Sequence, residues 1–464
     1  MARRTKKHVP STEALRGLPE ALRKQLTSLL GEDVAALEDS LEHPAPVSIR
    51  LNPFKPFDTD LERIPWCANG RYLTERPAFT FDPLLHLGAY YVQEAASMLL
   101  EQAFVVSGAA ERDVLALDLC AAPGGKSTHL LSLLSEGSLL VANEPDTARR
   151  WVLAENIWKQ GTTKAVITAS LPTVLADLPE EFDLILVDAP CSGEGMFRKD
   201  PFARAQWSPA LVQQCARTQQ DIVQHAWHAL APGGTLIYST CTWEVEENEY
   251  QIAPLVAEGA VSIALPMAPA WGVVVNEIGG VIGHRCYPHR LRGEGFFLAV
   301  LRKPGELRQR SFQPANSTGV GLPWLATDQG LSTLEHNGLL HTVPERWLAT
   351  VRRLMGTMAV LAPGTPFAER KGNEPSPHPA AALSSGLSTR ELPTIDLNAQ
   401  GALAYLRGEA LPHREARGIA LASYRGKPLG WLHGAGNRWN NRWPAPWRIR
   451  GQRSSAPAVP WSNG

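Results

Sequence analysis

An α/β fold organised on a doubly wound, mostly parallel sheet is what this sequence predicts, and three observations predict it. Apolar strand-like runs alternate with helical patterns from Arg112 to Arg302, the order that parallel βαβ units require. A Gly/Pro-rich loop, Cys120 to Ser127, separates the first run (Val114 to Leu119) from the first helix. Two further loops each carry a cysteine directly after an apolar run: Asp188, Ala189, Pro190, Cys191, Ser192, Gly193, Glu194, Gly195 follow Leu184 to Val187, and Ser239, Thr240, Cys241, Thr242 follow Thr235 to Tyr238. Both thiols therefore emerge at the carboxyl ends of buried strands, where open α/β sheets place their chemistry.

Element by element, residues 1–80 predict a small α/β module, with helical patterns over Thr12 to Leu30 and Val34 to Leu41 and a short strand between Pro46 and Pro53. Asp82 to Met98 mixes turn residues, two tyrosines and a helix start. Within residues 81–302, strand Val114 to Leu119 is followed by helix Thr128 to Leu134, strand Leu139 to Ala142 ending in Asn143 and Glu144, helix Thr147 to Gln160 and strand Ala165 to Thr168. Ser208 is placed to cap a long helix, Leu211 to Leu230, with Pro209 at its first position. Phe296 to Leu301 is the last strand of this unit. Residues 303–325 are polar and read as a linker, and Pro363 to Ser388, poor in periodicity, as a long loop. Residues 326–450 form a C-terminal region, compact after Pro393: a helix turn at Ala402 to Leu406, then strands Gly418 to Tyr424 and Pro428 to Gly434. Residues 451–464 read as a disordered tail.

Of 464 residues, 44% are apolar and 20% charged, an ordinary soluble globular balance long enough for two to four units. No apolar run approaches the roughly 20 residues of a membrane span and the start lacks a signal-peptide segment. A cytoplasmic protein with reduced thiols is expected, without a membrane partner. The six cysteines (Cys67, Cys120, Cys191, Cys215, Cys241, Cys286) show no CxxC pair and no Cys/His metal spacing, so no metal is expected. A Cys191–Cys241 disulfide is the least expected use of that pair. The net charge of −1 hides basic ends: Arg3, Arg4, Lys6 and Lys7 at the start, and ten Arg or Lys against Glu409 and Glu415 between residues 401 and 453. Such an excess suits a polyanion, although a solvated surface has the same composition.

Gly124, Gly125, Lys126 and Ser127 invite a phosphate-loop reading, but that pattern needs glycine where Cys120 stands. The GxGxxG of dinucleotide sites is also missing. A Gly-rich loop at a helix start still approaches a nucleotide-like cofactor closely. Glu144, about 20 residues further on, stands where a carboxylate grips a ribose diol. A ribose-carrying, phosphate-poor cofactor fits both, S-adenosylmethionine being the common one.

The motifs Leu119 to Lys126, Asp188 to Gly195 and Ser239 to Thr242 together resemble the RNA cytosine-C5 methyltransferase family. Met196 to Pro201, Tyr90 to Ala95, Arg290 to Phe297 and the basic C-terminus resemble its RsmF-like branch, which acts on small-subunit (16S) ribosomal RNA. The resemblance implies a Rossmann-like class I methyltransferase core over 81–302, an N-terminal RNA-recognition module over 1–80 and a C-terminal PUA-like α+β RNA-binding region over 326–450. It implies that Cys241 adds to cytosine C6, which makes C5 nucleophilic enough to take a methyl group, and that Cys191 assists loss of the C5 proton and release. The reverse assignment remains open, since DNA enzymes of this chemistry attack with the cysteine after proline. By the same resemblance Cys120, Ala121, Ala122, Pro123, Gly124, Gly125 and Lys126 hold the cofactor, Glu144 its ribose, and Asp188 orients the cytosine near the sulfonium end. Lys126 has a second possible role, lowering a cysteine pKa.

One departure stands out: the family's acid after the third strand, for the adenine amino group, is replaced by Thr168, Ala169, Ser170, Leu171, Pro172, where Ser170 could supply part of the contact. Arg149 is expected to pair with an acid or to be a plain surface arginine, and Arg198 and Lys199 to hold a phosphate beside Cys191. Arg438, Trp439, Arg442, Trp443, Trp447 and Arg448 combine stacking surface with cations, although a domain core with incidental arginines has the same composition, since some tryptophans must be core in so small a unit. The expected partner is ribosomal RNA or the small ribosomal subunit, and the expected state a monomer. Transfer RNA as substrate, or a non-catalytic assembly factor, are the alternatives.

Overall fold

The computed structural model describes residues 17–451 apart from 308, 311, 313–320, 328 and 372–373. The basic start and the expected tail from 452 onward lie outside the described residues. Helices α1 (Glu20–Leu30) and α2 (Val34–Ser40) lead into a three-stranded antiparallel sheet of β1 (Val47–Leu51), β2 (Gly70–Leu73) and β3 (Tyr90–Val92), with α3 (Pro83–His86) before β3. Helix α4 (Leu100–Ser107) then enters the core.

The core alternates β4 (Leu115–Asp118), α5 (Gly125–Leu133), β5 (Leu139–Asn143), α6 (Thr147–Gln160), β6 (Ala165–Thr168), β7 (Phe182–Asp188), α7 (Pro201–Gln206), α8 (Pro209–Ala229), β8 (Leu230–Thr240) and α9 (Glu249–Ala257). Strands β9 (Val261–Ser262), β10 (Val274–Ile278), β11 (Val281–Cys286) and β12 (Phe296–Arg302) complete this stretch. Ser208 caps α8 as expected, its hydroxyl accepting from Leu211 N at 3.2 Å with Pro209 at the first position. The strands are apolar throughout because both faces are covered. Ala116, Leu140, Leu184 and Ile237 face α4, α5 and α6, while Leu117, Val141, Ile185 and Leu236 face α8 and α9.

The sheet runs β10-β11-β12-β8-β7-β4-β5-β6-β15, where β15 is Val360–Ala362, with β9 paired to β12. From β8 to β6 every pairing is parallel, and the flanking strands are antiparallel. Strand order reverses between β4 and β7, so their following loops diverge and open a cleft. Asp188 on β7 lies opposite Ser239 on β8, which sets the two cysteine loops side by side.

Residues 326–450, expected as one unit, carry two sheets. Strands β13 (Leu331–His336), β14 (Leu339–Pro344), β16 (Thr365–Lys371) and β17 (Glu374–Pro377) form one of them. Between them, α10 (Leu348–Thr357) packs Val351 and Leu354 into the core beside the short 3-10 turn Pro172–Asp177 that links β6 to β7. Strand β15 (Val360–Ala362) extends the core sheet beyond β6. The expected loop Pro363 to Ser388 is therefore mostly structured, ending in α11 (Pro379–Leu383). Its prolines read as breakers, yet Pro375 and Pro377 sit on β17, an edge strand that tolerates them. Helix α11 shows no amphipathic period because Ala380 to Leu383 are all buried.

The expected linker is docked as well, since Arg310 is buried against Asp183 and Glu181 and Trp324 packs with Trp431. The second sheet, β18 (Thr394–Leu397), β20 (Ile419–Tyr424), β21 (Lys427–Gly434), β22 (Gly436–Asn441) and β19 (Leu411–Ala416) in spatial order, carries α12 (Ala399–Arg407). Its core merges with that of the N-terminal module: Ile49, Leu51 and Leu84 pack in one cluster with Leu403, Leu406 and Trp443.

Candidate active site

The cleft at the strand-order reversal has a volume of about 880 Å³, the size range of small-molecule sites. Cys120, Ala121, Ala122, Pro123, Gly125, Lys126, Glu144, Arg149, Asp188, Cys191, Lys199 and Cys241 all line it. Gly124 does not. It starts α5 at φ +110°, where a Cβ would meet Asn156 Cβ at 3.2 Å, so its glycine character serves the turn. Ser170 is also absent from the lining: its Oγ accepts from Ala359 N at 2.8 Å, tying β15's entry to the core.

On one wall Glu144 is buried, its carboxylate accepting from Asp146 N at 2.9 Å and standing 3.4 Å from Arg149. Arg149 also donates to Ala122 O at 2.7 Å, so it pairs with an acid as expected and braces the loop. Burial pushes the Cys120 thiol well above its ordinary range and raises the Asp118 carboxyl, on the β4 end, to about 7.

Asp188 separates this wall from the thiols. Its Oδ2 accepts from Lys126 Nζ at 2.8 Å and its Oδ1 from Ser239 Oγ at 2.8 Å. Burial alone would lower the Lys126 ammonium, but Asp188 beside it and Cys241 beyond raise it on balance. The cation also lies 5.1 Å from the Phe296 ring centre. The carboxylates Glu144 and Asp188 suit hydroxyls and a positively charged centre, and the one lysine among them, Lys126, is held by Asp188 rather than left open for a phosphate. The residues therefore fit S-adenosylmethionine and oppose a polyphosphate.

The two sulfurs are 3.1 Å apart and not bonded as a disulfide. Cys191 Sγ also accepts from Cys241 N at 3.3 Å. Contact with Cys241, followed by burial, pushes the Cys191 thiol well above its ordinary range. The loops touch through glycine: Gly195 N donates to Cys241 O at 2.8 Å, and a Cβ on Gly195 would lie 2.3 Å from Gly295 O.

Two expectations for side chains outside the motifs fail. Arg198 is 6% exposed and pairs with Glu294 at 3.0 Å, so it is structural, because a buried carboxylate claims it before any phosphate can. Lys199 alone of that pair lines the cleft. Trp439 and Trp443 are core residues, since so small a unit needs them there, and Trp447 is half-buried against them. Arg414, Arg417 and Arg438 are exposed on β19, the turn after it and β22. Sequence reasoning also missed Glu94, Glu294 and Asp221, which line the cleft, and Glu247, whose only signal was an acid run after Cys241. Among the described residues one group could hold a metal, Cys67, Glu101 and His129, with ligand atoms within 4.8 Å of one another. His129 Nε2 lies 3.1 Å from Glu101, joining α4 to α5, and 3.8 Å from Cys67 Sγ of the N-terminal module. No helix among the described residues is long and apolar enough to cross a membrane.

A switch-point cleft lined for a ribose rather than for phosphates, on a parallel sheet finished by antiparallel β12, defines the class: an S-adenosylmethionine-dependent methyltransferase. Comparison with known proteins narrows it. The profile of the 16S rRNA methyltransferase RsmB/F matches residues 107–302, that of the RsmF N-terminal domain 18–95 and that of the methyltransferase RsmF PUA domain 392–449. Ribosomal RNA small subunit methyltransferase F of Erwinia tasmaniensis is 31% identical over 92% of this chain and 96% of its own. The Escherichia coli K12 protein of the same name is 33% identical over 87% and 90%. A methyltransferase homologue from Pyrococcus horikoshii, of known structure, superposes with a TM-score of 0.52 at 27% identity, covering 63% of this chain and all of its own. The chain belongs to the RsmB/F family, on its RsmF branch.

Proposed function

We propose that this protein methylates C5 of a cytosine in small-subunit ribosomal RNA through a covalent bond between Cys241 and cytosine C6. The observation that carries the reading is the pair of sulfurs 3.1 Å apart, with the Lys126–Asp188 ion pair between them and the cofactor wall. S-adenosylmethionine, when bound, supplies an electrophilic methyl group. Cys120 to Pro123, with Gly125 and Lys126, would line its site and Glu144 would take its ribose hydroxyls. Asp188 would orient the cytosine while Lys126 supports a thiolate at Cys241. Addition of that sulfur to C6 makes C5 enamine-like. Once Cys241 is bonded to carbon, the chief cause holding the proton on Cys191 disappears, and Cys191 can assist loss of the C5 proton and expulsion of the Cys241 sulfur. The cytosine must be unstacked to enter, and the exposed arginines of β19 and β22 suit the folded RNA around it.

The test uses full-length protein, S-adenosylmethionine and unmethylated small-subunit RNA. With Cys191→Ala a slow-migrating protein–RNA adduct accumulates, whereas Cys241→Ala gives neither adduct nor 5-methylcytidine. The reverse pattern exchanges the roles, and 5-methylcytidine only in transfer RNA moves the substrate.

A further inference from the structure

Beneath Cys191 lies a buried network that the chemistry above leaves unused. Ser192 N donates to Glu247 Oε2 at 3.0 Å, and Gln219 Nε2 donates both to the same oxygen at 2.7 Å and to Pro190 O at 2.8 Å. The backbone on both sides of Cys191 is thus held by Glu247 and its partner Gln219. The Ser192 hydroxyl touches Glu247 Oε1 and lies 2.7 Å from Glu194 Oε1. Trp207 Nε1 also donates to Glu194 Oε1. Glu194 and Glu247 are fully buried.

Proton counting constrains this arrangement. Ser192 has one hydroxyl hydrogen and meets two carboxyl oxygens, so at least one of the two acids carries a proton. The pair then holds at least one proton, and at most one negative charge, directly under Cys191. Burial raises both acids, Glu247 to about 7, in keeping with that count.

Charge around the two sulfurs is consequently unequal. Cys191 faces Glu194 and Glu247, whereas Cys241 faces the Lys126 ammonium. The other titratable groups nearby are Asp188, which is paired with Lys126, Cys215 on α8 and Glu244 after the Cys241 loop. One contact runs the other way, the Cys241 N–H at 3.3 Å from Cys191 Sγ. A neutral sulfur can accept it while its own proton points to Cys241.

We infer that Glu247 and Glu194 are positioning residues that decide which thiol attacks: the acid pair beneath Cys191 disfavours a negative sulfur there and leaves the attack to Cys241, on the Lys126 side. This rests on the reading of Cys241 as nucleophile. The acids touch neither base nor cofactor in this scheme; they act through the Cys191 loop.

The experiment is alkylation of the full-length protein by iodoacetamide without RNA or cofactor, followed by mass spectrometry of the Cys191 and Cys241 peptides across a pH series. Cys241 should react at least about tenfold faster than Cys191 near neutral pH, one pKa unit being a tenfold change in thiolate at equal access. The double variant Glu194→Gln/Glu247→Gln, which also removes the charge that either single substitution would leave on the remaining acid, should narrow the ratio about threefold by speeding Cys191. A merely structural role would leave the ratio unchanged in a double variant that still melts cooperatively, and that result overturns the inference. Should the double variant fail to fold, the unsubstituted protein still decides: Cys191 labelling must rise at higher pH than Cys241 labelling, and coincident curves sink the idea. If Cys191→Ala traps RNA while the ratio ignores both substitutions, only the role of the acids falls. If Cys241→Ala traps it instead, the nucleophile reading falls and this inference with it.

Discussion

Between Leu119 and Gly125 the cleft wall is backbone and small side chains, whereas across it the Cys191 loop rests on buried polar and charged groups: Ser192, Glu194, Glu247, and beyond them Arg198 with Glu294. The first wall presents main-chain groups to a cofactor, and the buried carboxylate beside it, Glu144, is held by Asp146 N and Arg149. The second fixes two sulfurs within van der Waals reach on a hydrogen-bonded network of buried side chains. The difference teaches where a substitution should be felt. On the cofactor side it should appear in binding, and on the thiol side first in the fold.

Arg198→Ala tests this most severely. It strips Glu294, only 4% exposed, of its main partner and leaves Lys199 at 3.8 Å. A loss of about 3–5 kcal/mol is expected by urea denaturation; unchanged stability with weaker RNA binding would restore Arg198 as a phosphate contact. Across the cleft, Glu144→Gln keeps an acceptor for Asp146 N but removes the charge. Calorimetry should show S-adenosylmethionine bound about tenfold more weakly, with stability of the free protein little changed. A collapse of stability there would erase the contrast between the walls.

A smaller effect comes from Glu244, buried beside the Cys241 loop and raised by burial to about 8. Between about 4.5 and 8 the folded state holds this proton while the unfolded state releases it, so its contribution to stability falls as pH rises through that window. Glu244→Gln should therefore raise the melting temperature at pH above 8 and make no such difference below 4.5. The smallest change is expected for Ser170→Ala, which orphans Ala359 N–H and costs about 1 kcal/mol in denaturation. Cofactor affinity should not move. A drop in affinity would return Ser170 to the adenine site.

The parallel strands were legible because strands covered on both faces are apolar without interruption, and the Gly-rich and cysteine loops because each is contiguous. Ser208 and Pro209 announced α8 through local chemistry alone. What sequence could not show were partnerships across the chain. Arg198 beside a candidate nucleophile looks like an anion contact until Glu294, from the far side of the core, is found against it. For the C-terminal tryptophans the small size of the unit already argued that some are core, and only the fold shows which: Trp439 and Trp443 inside, Trp447 half-buried. Glu247 is an acid in a run of acids, and only the fold turns it under Cys191.

Strand β15 closes the free edge of β6, although it follows the rest of the core sheet by a long excursion through β13 and β14. While the chain is being synthesised, the edge of β6 thus stays bare until Ala362 has emerged, a strand edge open to pairing with another chain. Cutting the protein after Arg302 would make that exposure permanent. The segment from 331 to 362 thus covers an edge that a truncated core would leave open, and such a core would need a substitute for it to avoid edge-to-edge pairing.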